Sequence, residues 1–213
     1  MVEDEPRIRD LIVLYLERAE YDVDAVADGA AALASFDARA PDLVVVDLLL
    51  PGLSGTALIA AIREVSDVPI LVASARRADE DRIDAFGLGA DDYVTKPFNP
   101  IELVARVRAI LRRARGPETR APRSLSFAGA RLVVDLATRR FTLDGRDGRL
   151  TPTEARLLAA LCEANGAVVS RDRLLAVATR GVSETARTVD VHIANLRRKL
   201  GDDAGRPWAI ETV

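Results

Sequence analysis

Several residue types are scarce in this chain of 213 residues, and each scarcity excludes a class of protein. The single cysteine, Cys162, excludes an internal disulfide framework. The single histidine, His192, has no second histidine or cysteine nearby with which to form a metal site. No apolar run approaches the roughly 18 residues of a membrane span, and no basic flank with a long apolar segment marks a signal peptide. We therefore expect a soluble, cytoplasmic protein that makes no membrane contact.

Charge is divided unevenly between the two halves of the chain. Residues 1–111 hold 11 Lys and Arg against 21 Asp and Glu, a net charge of −10, whereas residues 112–213 hold 19 against 12, a net charge of +7. Two domains with different partners are expected, and nucleic acid is a candidate partner of the basic one. Codon bias could explain why 28 of the 30 basic residues are arginine, but it does not explain the asymmetry.

Short apolar runs alternate with amphipathic stretches along the first half. The pattern predicts strands at Val2 and at 21–26, 43–46, 69–73 and 93–95, followed by helices that begin at Pro6, Gly29, Thr56, Ala78 and Pro100. Alternating strands and helices predict a parallel sheet covered by helices on both faces. Five such units fit the flavodoxin-like strand order 2-1-3-4-5.

That strand order places chemically suggestive residues at one edge of the sheet. Glu3 and Asp4 should lie beside Asp47, which ends a buried apolar run. Three carboxylates repel one another unless a cation joins them, and a site of oxygen ligands suits Mg²⁺. Ser74 and Lys96 follow the fourth and fifth strands and should face the same crevice. Lys96 is one of only two lysines, and its compact ammonium suits a contact with a single anion.

In combination, these motifs resemble the receiver domain of response regulators. The resemblance rests on Glu3-Asp4, on Asp47 with Leu-Pro-Gly after it, on Ser74-Ala-Arg and on the segment 91–98. It implies that Asp47 accepts a phosphoryl group and that Mg²⁺ binds among Glu3, Asp4, Asp47 and the backbone carbonyl of Leu49. It further implies that Lys96 and Ser74 contact the phosphoryl oxygens, and that Tyr93 turns inward as a switch aromatic.

A phosphatase of the haloacid-dehalogenase type is an alternative, because it also uses an aspartate at a strand end. Its chemistry needs a second aspartate two residues further on as a general acid, and this chain has Leu49 there. The sequence therefore disfavours a phosphatase.

The second half is predicted to form an α+β domain that a linker joins to the first domain. Residues 114–123 contain Gly116, Pro117 and Pro122 and predict an exposed linker between a first domain, 1–113, and a second, 124–213. Short antiparallel strands are expected at 125–127, 132–135, 140–143 and 149–150. A capping-box-like start at Thr151-Pro-Thr-Glu154 opens one helix to Ala164, a second covers 171–177, and a third starts after Ser183 or Thr185 and ends at Gly201.

The third helix of this half carries two contrasting faces. Its apolar stripe consists of Val189, Ile193, Leu196 and Leu200. A helical wheel places Arg187, Val191, Ala194, Asn195 and Arg198 opposite, flanked by Thr188, His192 and Lys199. These residue types suit a helix in the major groove of DNA, although a solvated amphipathic helix would look similar.

Three segments of this half resemble the winged-helix domain of OmpR/PhoB-type regulators: 150–158, 169–175 and 187–200. With the receiver, the resemblance spans nearly the whole chain. It implies binding to double-stranded promoter DNA at direct repeats, with Arg187, His192, Asn195 and Arg197 at positions that touch DNA. The polar face of the helical wheel and its flanks add Thr188, Arg198 and Lys199 as candidate contacts. The implied partners are a sensor histidine kinase, RNA polymerase and, on phosphorylation, a second copy of the chain. Candidate salt bridges between subunits join Arg82 to Glu102 and Asp92 to Arg106.

Three features depart from the family pattern. Only Met1 and Val2 precede Glu3, so the first strand is short, and the chain stops at Val213, where the family continues into a hairpin wing. Ala194 and Asn195 stand where some members carry two arginines, so a base preference cannot be transferred. We expect a phosphorylation-dependent regulator rather than an enzyme. The rivals are a regulator that works without phosphorylation and a phosphoryl-transfer enzyme, for which no substrate-pocket motif is visible.

Overall fold

Helices and parallel strands alternate along the first half of the chain, as the sequence predicts. The computed structural model describes residues 1–114, 123–127, 130–136, 138–164, 166–179 and 186–213. The chain forms two units, Met1–Ala114 and Arg115–Val213. The elements of the first unit are α1 (Pro6–Arg18), α2 (Gly29–Ala38), β1 (Val44–Val46), α3 (Gly55–Val65), β2 (Ile70–Ser74), α4 (Asp79–Gly87), β3 (Asp92–Thr95) and α5 (Pro100–Ala114).

The first two predicted strands are reduced to single-residue bridges. Val2 forms parallel bridges with Val26 on one side and with Val46 of β1 on the other, and β1 continues into a parallel β1-β2-β3 sheet. The predicted order 2-1-3-4-5 is therefore confirmed. The predicted strand at 21–26 was too long, because within the described residues only Val26 of this segment forms a bridge, with Val2.

Residues of β1, β2 and β3 are buried from both sides by helices. Val45, Leu71 and Val94 form a core with Ile12 of α1 and Val107 of α5. A parallel sheet covered on both faces explains why its strands read as unbroken apolar runs. This core fixes the carboxyl ends of the strands, where the candidate residues lie.

The start of α3 lies directly against the end of β1. Ser54 caps this helix by accepting a hydrogen bond from the Ala57 N–H at 3.3 Å. A Cβ atom on Gly55 would lie only 2.0 Å from the carbonyl oxygen of Asp47. Glycine at this position therefore allows the close approach that sets the position of Asp47.

The second unit begins with a four-stranded antiparallel sheet in which each strand pairs with the next one along the chain. Ala114 is the last described residue of α5 and Arg123 is the first residue of the next strand, so the predicted linker falls between these two elements, and 115–122 lie outside the described residues. Asp144 and Gly145 both have positive φ angles, 48° and 82°, as a tight hairpin turn requires. The elements are β4 (Arg123–Phe127), β5 (Ala130–Asp135), β6 (Arg140–Leu143), β7 (Arg146–Arg149), α6 (Pro152–Ala164), α7 (Arg171–Thr179) and α8 (Ala186–Leu200).

The predicted capping box opens α6. The Thr151 N–H donates to Oε2 of Glu154 at 2.8 Å, and the Glu154 N–H donates to Oγ1 of Thr151 at 3.4 Å. Leu196 and Leu200 of α8 pack in one core with Leu150, which was predicted as a strand residue but follows the end of β7. The candidate caps of α8, Ser183 and Thr185, lie outside the described residues. Within the described part of the chain, no helix is long and apolar enough to cross a membrane.

Candidate functional site

Three carboxylates meet at the carboxyl edge of the parallel sheet. Glu3, Asp4 and Asp47 each offer a ligand oxygen, and these oxygens lie within 4.8 Å of one another. Glu3 and Asp47 are buried, whereas Asp4 is exposed. The bridge from Val2 to Val46 causes this meeting, because it brings the residues after Val2 beside the end of β1.

Lys96 reaches into the same group of carboxylates. Its Nζ donates to Oε1 and Oε2 of Glu3 at 2.7 and 2.6 Å and to Oδ2 of Asp47 at 2.6 Å. Burial lowers the pKa of Lys96, but the hydrogen bonds and charges of Asp47 and Glu3 outweigh burial and leave this pKa above its ordinary value. Burial raises the pKa of Glu3, and the hydrogen bond and charge of Lys96 offset only part of that rise. With all four groups ionised, two negative charges remain uncompensated, which favours a divalent cation.

Arg9 supports the acidic pair, a role that the sequence did not reveal. Its Nη1 donates to the carbonyl oxygens of Glu3 at 2.8 Å and of Asp4 at 3.3 Å. The guanidinium therefore holds the backbone of the turn between Val2 and α1. The position of Arg9 in the sequence is a weak indication of this role, because an arginine in the first turns of α1 can reach back to the residues just before the helix.

Ser74 contributes a buried hydroxyl at the end of β2. Its side chain is inaccessible to solvent, and its Oγ has no hydrogen-bond partner within the described part of the chain. A buried hydroxyl without a partner costs roughly 1–3 kcal/mol. Ser74 pairs with Thr95 in the sheet, and its carbonyl accepts from the Lys96 N–H at 2.8 Å. The hydroxyl thus belongs to the same edge as Lys96 and is available to a ligand oxygen.

Tyr93 already points inward in this structure. It is buried, and its hydroxyl donates to the carbonyl of Arg76 at 2.8 Å. Burial raises the pKa of Tyr93, so the tyrosine hydroxyl remains a donor. Arg77 also donates from Nη2 to the Lys96 carbonyl at 3.2 Å. Two hydrogen bonds therefore join the loop after Ser74 to β3 and its end.

The residues expected at a subunit interface are paired within one chain. Arg106 donates to Oδ1 of Asp92 at 2.9 Å and to Oε1 of Glu102 at 2.8 Å. Arg82 lies 3.7 Å from Asp79, one turn earlier in α4. The four predicted interface residues therefore lie on β3, α4 and α5, and each already forms an ion pair within its own chain.

The exposed face of α8 is narrower than the sequence predicts. Asp190, Ala194 and Arg198 are exposed at intervals of four residues. Asn195 was expected on this face, but it is buried, because the buried arc extends beyond the apolar stripe onto the flank that also holds Thr188 and His192. Arg198 donates from Nη2 to Oδ1 of Asn195 at 2.8 Å. The side chain of Arg187 lies outside the described part of the chain.

Two further predicted contacts hold α8 within its own unit. Arg197 donates from Nη2 to the Ile210 carbonyl at 2.7 Å, and Lys199 donates from Nζ to Oε2 of Glu154 at 2.8 Å. Asp202, which the sequence did not single out, accepts from the Ile210 N–H at 2.9 Å. The pattern of charges alone does not distinguish such internal partners from contacts to DNA.

Known proteins match both units of the chain. Residues 1–108 match the family described as response regulator receiver domain, and residues 145–213 match transcriptional regulatory protein, C terminal. The structure of response regulator DrrB, a Thermotoga maritima OmpR/PhoB homologue, matches with a TM-score of 0.51 and 31% identity over 97% of this chain and 90% of that one. The chain belongs to the OmpR/PhoB-type response regulators.

Curated relatives match this response regulator along nearly its full length. It is 42% identical to transcriptional regulatory protein CseB of Streptomyces avermitilis, over 95% of this chain and 90% of that protein. It is 38% identical to phosphate regulon transcriptional regulatory protein PhoB of Pseudomonas aeruginosa, over 95% and 88%. The structure of a RitR mutant matches all of this chain and 93% of its own, with 26% identity and a TM-score of 0.76.

Membership in this family settles the general function. The response regulator is a DNA-binding transcriptional regulator of a two-component system, with a receiver domain and a winged-helix domain, and it is not an enzyme. The receiver implies a histidine kinase as partner, and the winged helix implies DNA. Receiver domains typically bind Mg²⁺ at an acidic pocket, and Glu3, Asp4 and Asp47 form such a pocket here.

Proposed function

We propose that Asp47 is the phosphoacceptor and that its phosphorylation controls promoter binding. The observation that carries the proposal is the ammonium of Lys96, which lies 2.6 Å from Oδ2 of Asp47 inside the acidic pocket. A lysine in this position is suited to contact an oxygen of a phosphoryl group on Asp47.

The reaction transfers one phosphoryl group to a carboxylate. An oxygen of Asp47 attacks the phosphorus of the phosphohistidine of the kinase, the bond from phosphorus to the histidine nitrogen breaks, and an acyl phosphate remains on Asp47. Phosphoryl transfer depends mainly on positioning and on charge stabilisation. Lys96 supplies a fixed positive charge for the phosphoryl oxygens, and the Leu49 N–H holds Oδ1 of Asp47 at 3.0 Å.

We assign the Mg²⁺ site to Glu3, Asp4, Asp47 and the backbone carbonyl of Leu49. The three carboxylates are the oxygen ligands that Mg²⁺ prefers, and their uncompensated charge fits a divalent ion. When bound, the ion neutralises charge on the transferred group. Arg9 keeps the turn of Glu3 and Asp4 in place by its two hydrogen bonds to their carbonyls.

Ser74 and Tyr93 form the proposed switch. The unpartnered hydroxyl of Ser74 would donate to a phosphoryl oxygen, which removes the cost of its burial. Movement of Ser74 shifts the loop that follows it, and Tyr93 is hydrogen bonded to this loop at the carbonyl of Arg76. The inward position of Tyr93 is therefore coupled to the occupancy of the phosphoryl site.

We assign the receiver to residues 1–113, the linker to 114–123 and DNA binding to 124–213. Phosphorylation would favour a receiver homodimer that places two α8 helices on direct repeats of promoter DNA in the cytoplasm, where RNA polymerase is a further partner. In the dimer, Arg82 would pair with Glu102 and Asp92 with Arg106 across the interface. Arg106 already forms ion pairs within its own chain, so a bridge between subunits would replace such a pair. These bridges would therefore fix the relative orientation of the two receivers more than they would raise the affinity of the dimer.

On the DNA side, we assign α8 to the major groove. Arg198 is the exposed cation whose position in the structure best supports this assignment. Arg187 and Arg197 remain candidate contacts near phosphates. Thr188, His192 and Asn195 are buried, so each must gain exposure before it meets a base edge.

The test is phosphorylation of the full chain with Mg²⁺ and acetyl phosphate. We expect the mass of one added phosphoryl group, a shift from monomer to dimer and tighter binding to promoter DNA, and we expect none of these in the Asp47→Asn variant. A mass gain that persists in this variant would contradict the assignment of Asp47. Phosphorylation that changes neither dimerisation nor DNA affinity would instead support a regulator that works without phosphorylation.

A further inference from the structure

The second lysine of the chain, Lys199, lies at the last turn of α8. Its Nζ donates to Oε2 of Glu154 at 2.8 Å and to the carbonyl of Arg149 at 3.0 Å. Two of the three N–H donors of this ammonium are thus used by groups of the same unit.

The partners of Lys199 belong to a buried corner of the fold. The Glu154 side chain is 2% exposed, and the same Oε2 atom also accepts from the Thr151 N–H at 2.8 Å. Leu200, the next residue after Lys199, packs with Leu150 in the core. One ammonium therefore joins the end of α8 to the cap of α6 and to the last residue of β7.

An ion pair with one buried carboxylate, 2% exposed, and a half-buried ammonium constrains geometry. A buried carboxylate that loses its partner is costly, so Glu154 holds Lys199 at a fixed position. Because Lys199 is on the helix between Arg198 and Leu200, fixing it also fixes the rotation of α8 about its own axis. That rotation decides which side chains face outward, and Arg198 is the exposed neighbour whose direction depends on it.

We propose that Lys199 is a positioning residue that sets the orientation of α8 for DNA recognition and makes no contact with DNA itself. This inference rests on the proposed role of α8 as the helix that enters the major groove. It replaces the expectation that Lys199 binds DNA directly. Lys199 acts through Arg198 and the other outward residues of α8.

Adjacent substitutions in the full chain provide the test. Arg198→Met and Lys199→Met each remove one positive charge from neighbouring positions, and Glu154→Gln removes only the partner of Lys199. For each variant, DNA affinity is measured at several salt concentrations on two probes: a duplex selected by the wild-type chain from a randomised library, and a duplex of arbitrary sequence. Protein concentrations are corrected for the active fraction by titration at saturating DNA.

The slope of log affinity against log salt counts the cations that neutralise phosphates. We expect Lys199→Met to keep the wild-type slope but to lower the preference for the selected duplex about tenfold, the loss of roughly one good base contact. Glu154→Gln should lower the preference in the same way, and the double variant should lose little more. If Arg198 contacts a phosphate, Arg198→Met should reduce the salt slope by about 1. If Arg198 contacts a base, the variant should instead lose the preference at one base position.

Three outcomes would overturn the inference. A slope that falls by about 1 in Lys199→Met and not in Glu154→Gln would make Lys199 a phosphate contact. An unchanged slope together with an unchanged preference would leave Lys199 no role in recognition. If Lys199→Met does not fold, the same measurement is made on Lys199→Arg, which keeps the charge and alters the geometry of the contact. An unchanged preference for the selected duplex in Lys199→Arg would contradict the positioning role. Absence of DNA binding by the wild-type chain would instead contradict the proposed role of α8.

Discussion

The ammonium of Lys96 donates hydrogen bonds to both carboxylate oxygens of Glu3, at 2.7 and 2.6 Å, and also to Oδ2 of Asp47. Lys96 therefore holds together two carboxylates that would otherwise repel each other. The same residue is proposed to stabilise the phosphoryl group, so its removal should have opposite effects on metal binding and on phosphorylation.

In Lys96→Met, a third negative charge in the pocket loses its compensation. We expect Mg²⁺ to bind roughly tenfold more tightly, because a nearby unit charge contributes more than 1 kcal/mol at protein dielectric constants. Phosphorylation by acetyl phosphate should slow by about 10²-fold, as for loss of one charge-stabilising donor. Titration calorimetry and mass spectrometry measure the two effects. Lys199→Met, the matched lysine variant in the other unit, should change neither, and parallel losses in both measurements for Lys96→Met would refute the expectation.

Ser74→Ala should not destabilise the unphosphorylated fold. The substitution removes a buried hydroxyl that has no partner among the described residues, so the free energy of unfolding should stay constant or rise by up to about 1 kcal/mol. Ser54→Ala is the matched control, because it removes an N-cap of α3 and should cost about 1 kcal/mol. Urea unfolding compares the two variants. A loss in Ser74→Ala as large as that in Ser54→Ala would show that its hydroxyl already has a stabilising partner.

Tyr93→Phe should remove the hydrogen bond to the Arg76 carbonyl and cost about 1 kcal/mol near neutral pH. Because burial raises the pKa of Tyr93, the folded state holds this proton more tightly than the unfolded state does. The stabilisation is fully present below the ordinary tyrosine pKa of about 10 and decreases as pH rises through and above it. Urea unfolding at neutral pH and above pH 10 should therefore show that the free energy of unfolding falls more between these two conditions in the wild type than in Tyr93→Phe. Equal losses would mean that Tyr93 is not the group responsible.

Gly55→Ala should disturb Asp47 through the backbone. The added Cβ would lie 2.0 Å from the Asp47 carbonyl oxygen, so α3 must shift, at a cost of about 1–3 kcal/mol. We expect lower stability and slower phosphorylation together. Gly205→Ala is the control, since its Cβ would approach nothing closer than 3.6 Å and should be tolerated. Normal phosphorylation in Gly55→Ala would indicate that the start of α3 can move without displacing Asp47.

The receiver pocket could be anticipated because its residues follow regular elements. Apolar runs located the strands, the strand order brought Glu3 beside Asp47, and the positions after two strands located Ser74 and Lys96. The length of the strand at 21–26 could not be read from its own residues, because a strand is defined by backbone pairing and only Val26 pairs, with Val2.

The environment of α8 was harder to anticipate. A helical wheel sorts residues by polarity, and polarity did not reveal that Asn195 is buried or that Lys199 pairs with Glu154, which is 45 positions away in the chain. A lysine beside a basic stretch looks the same whether its partner is a phosphate or an internal carboxylate. Only the packing of α6 against α8 separates these cases.

The single-residue bridge of Val2 has a consequence for reactivity. The Asp47 N–H donates to the Val2 carbonyl at 3.1 Å, and the Glu3 N–H donates to the Val26 carbonyl at the same distance. These backbone hydrogen bonds and the two from Arg9 hold the acidic pair in place, and a local opening that breaks them would dismantle the acidic pocket while the rest of the core stayed folded. The fraction of molecules ready to accept a phosphoryl group would then follow a local equilibrium, which hydrogen exchange at the Asp47 amide would report.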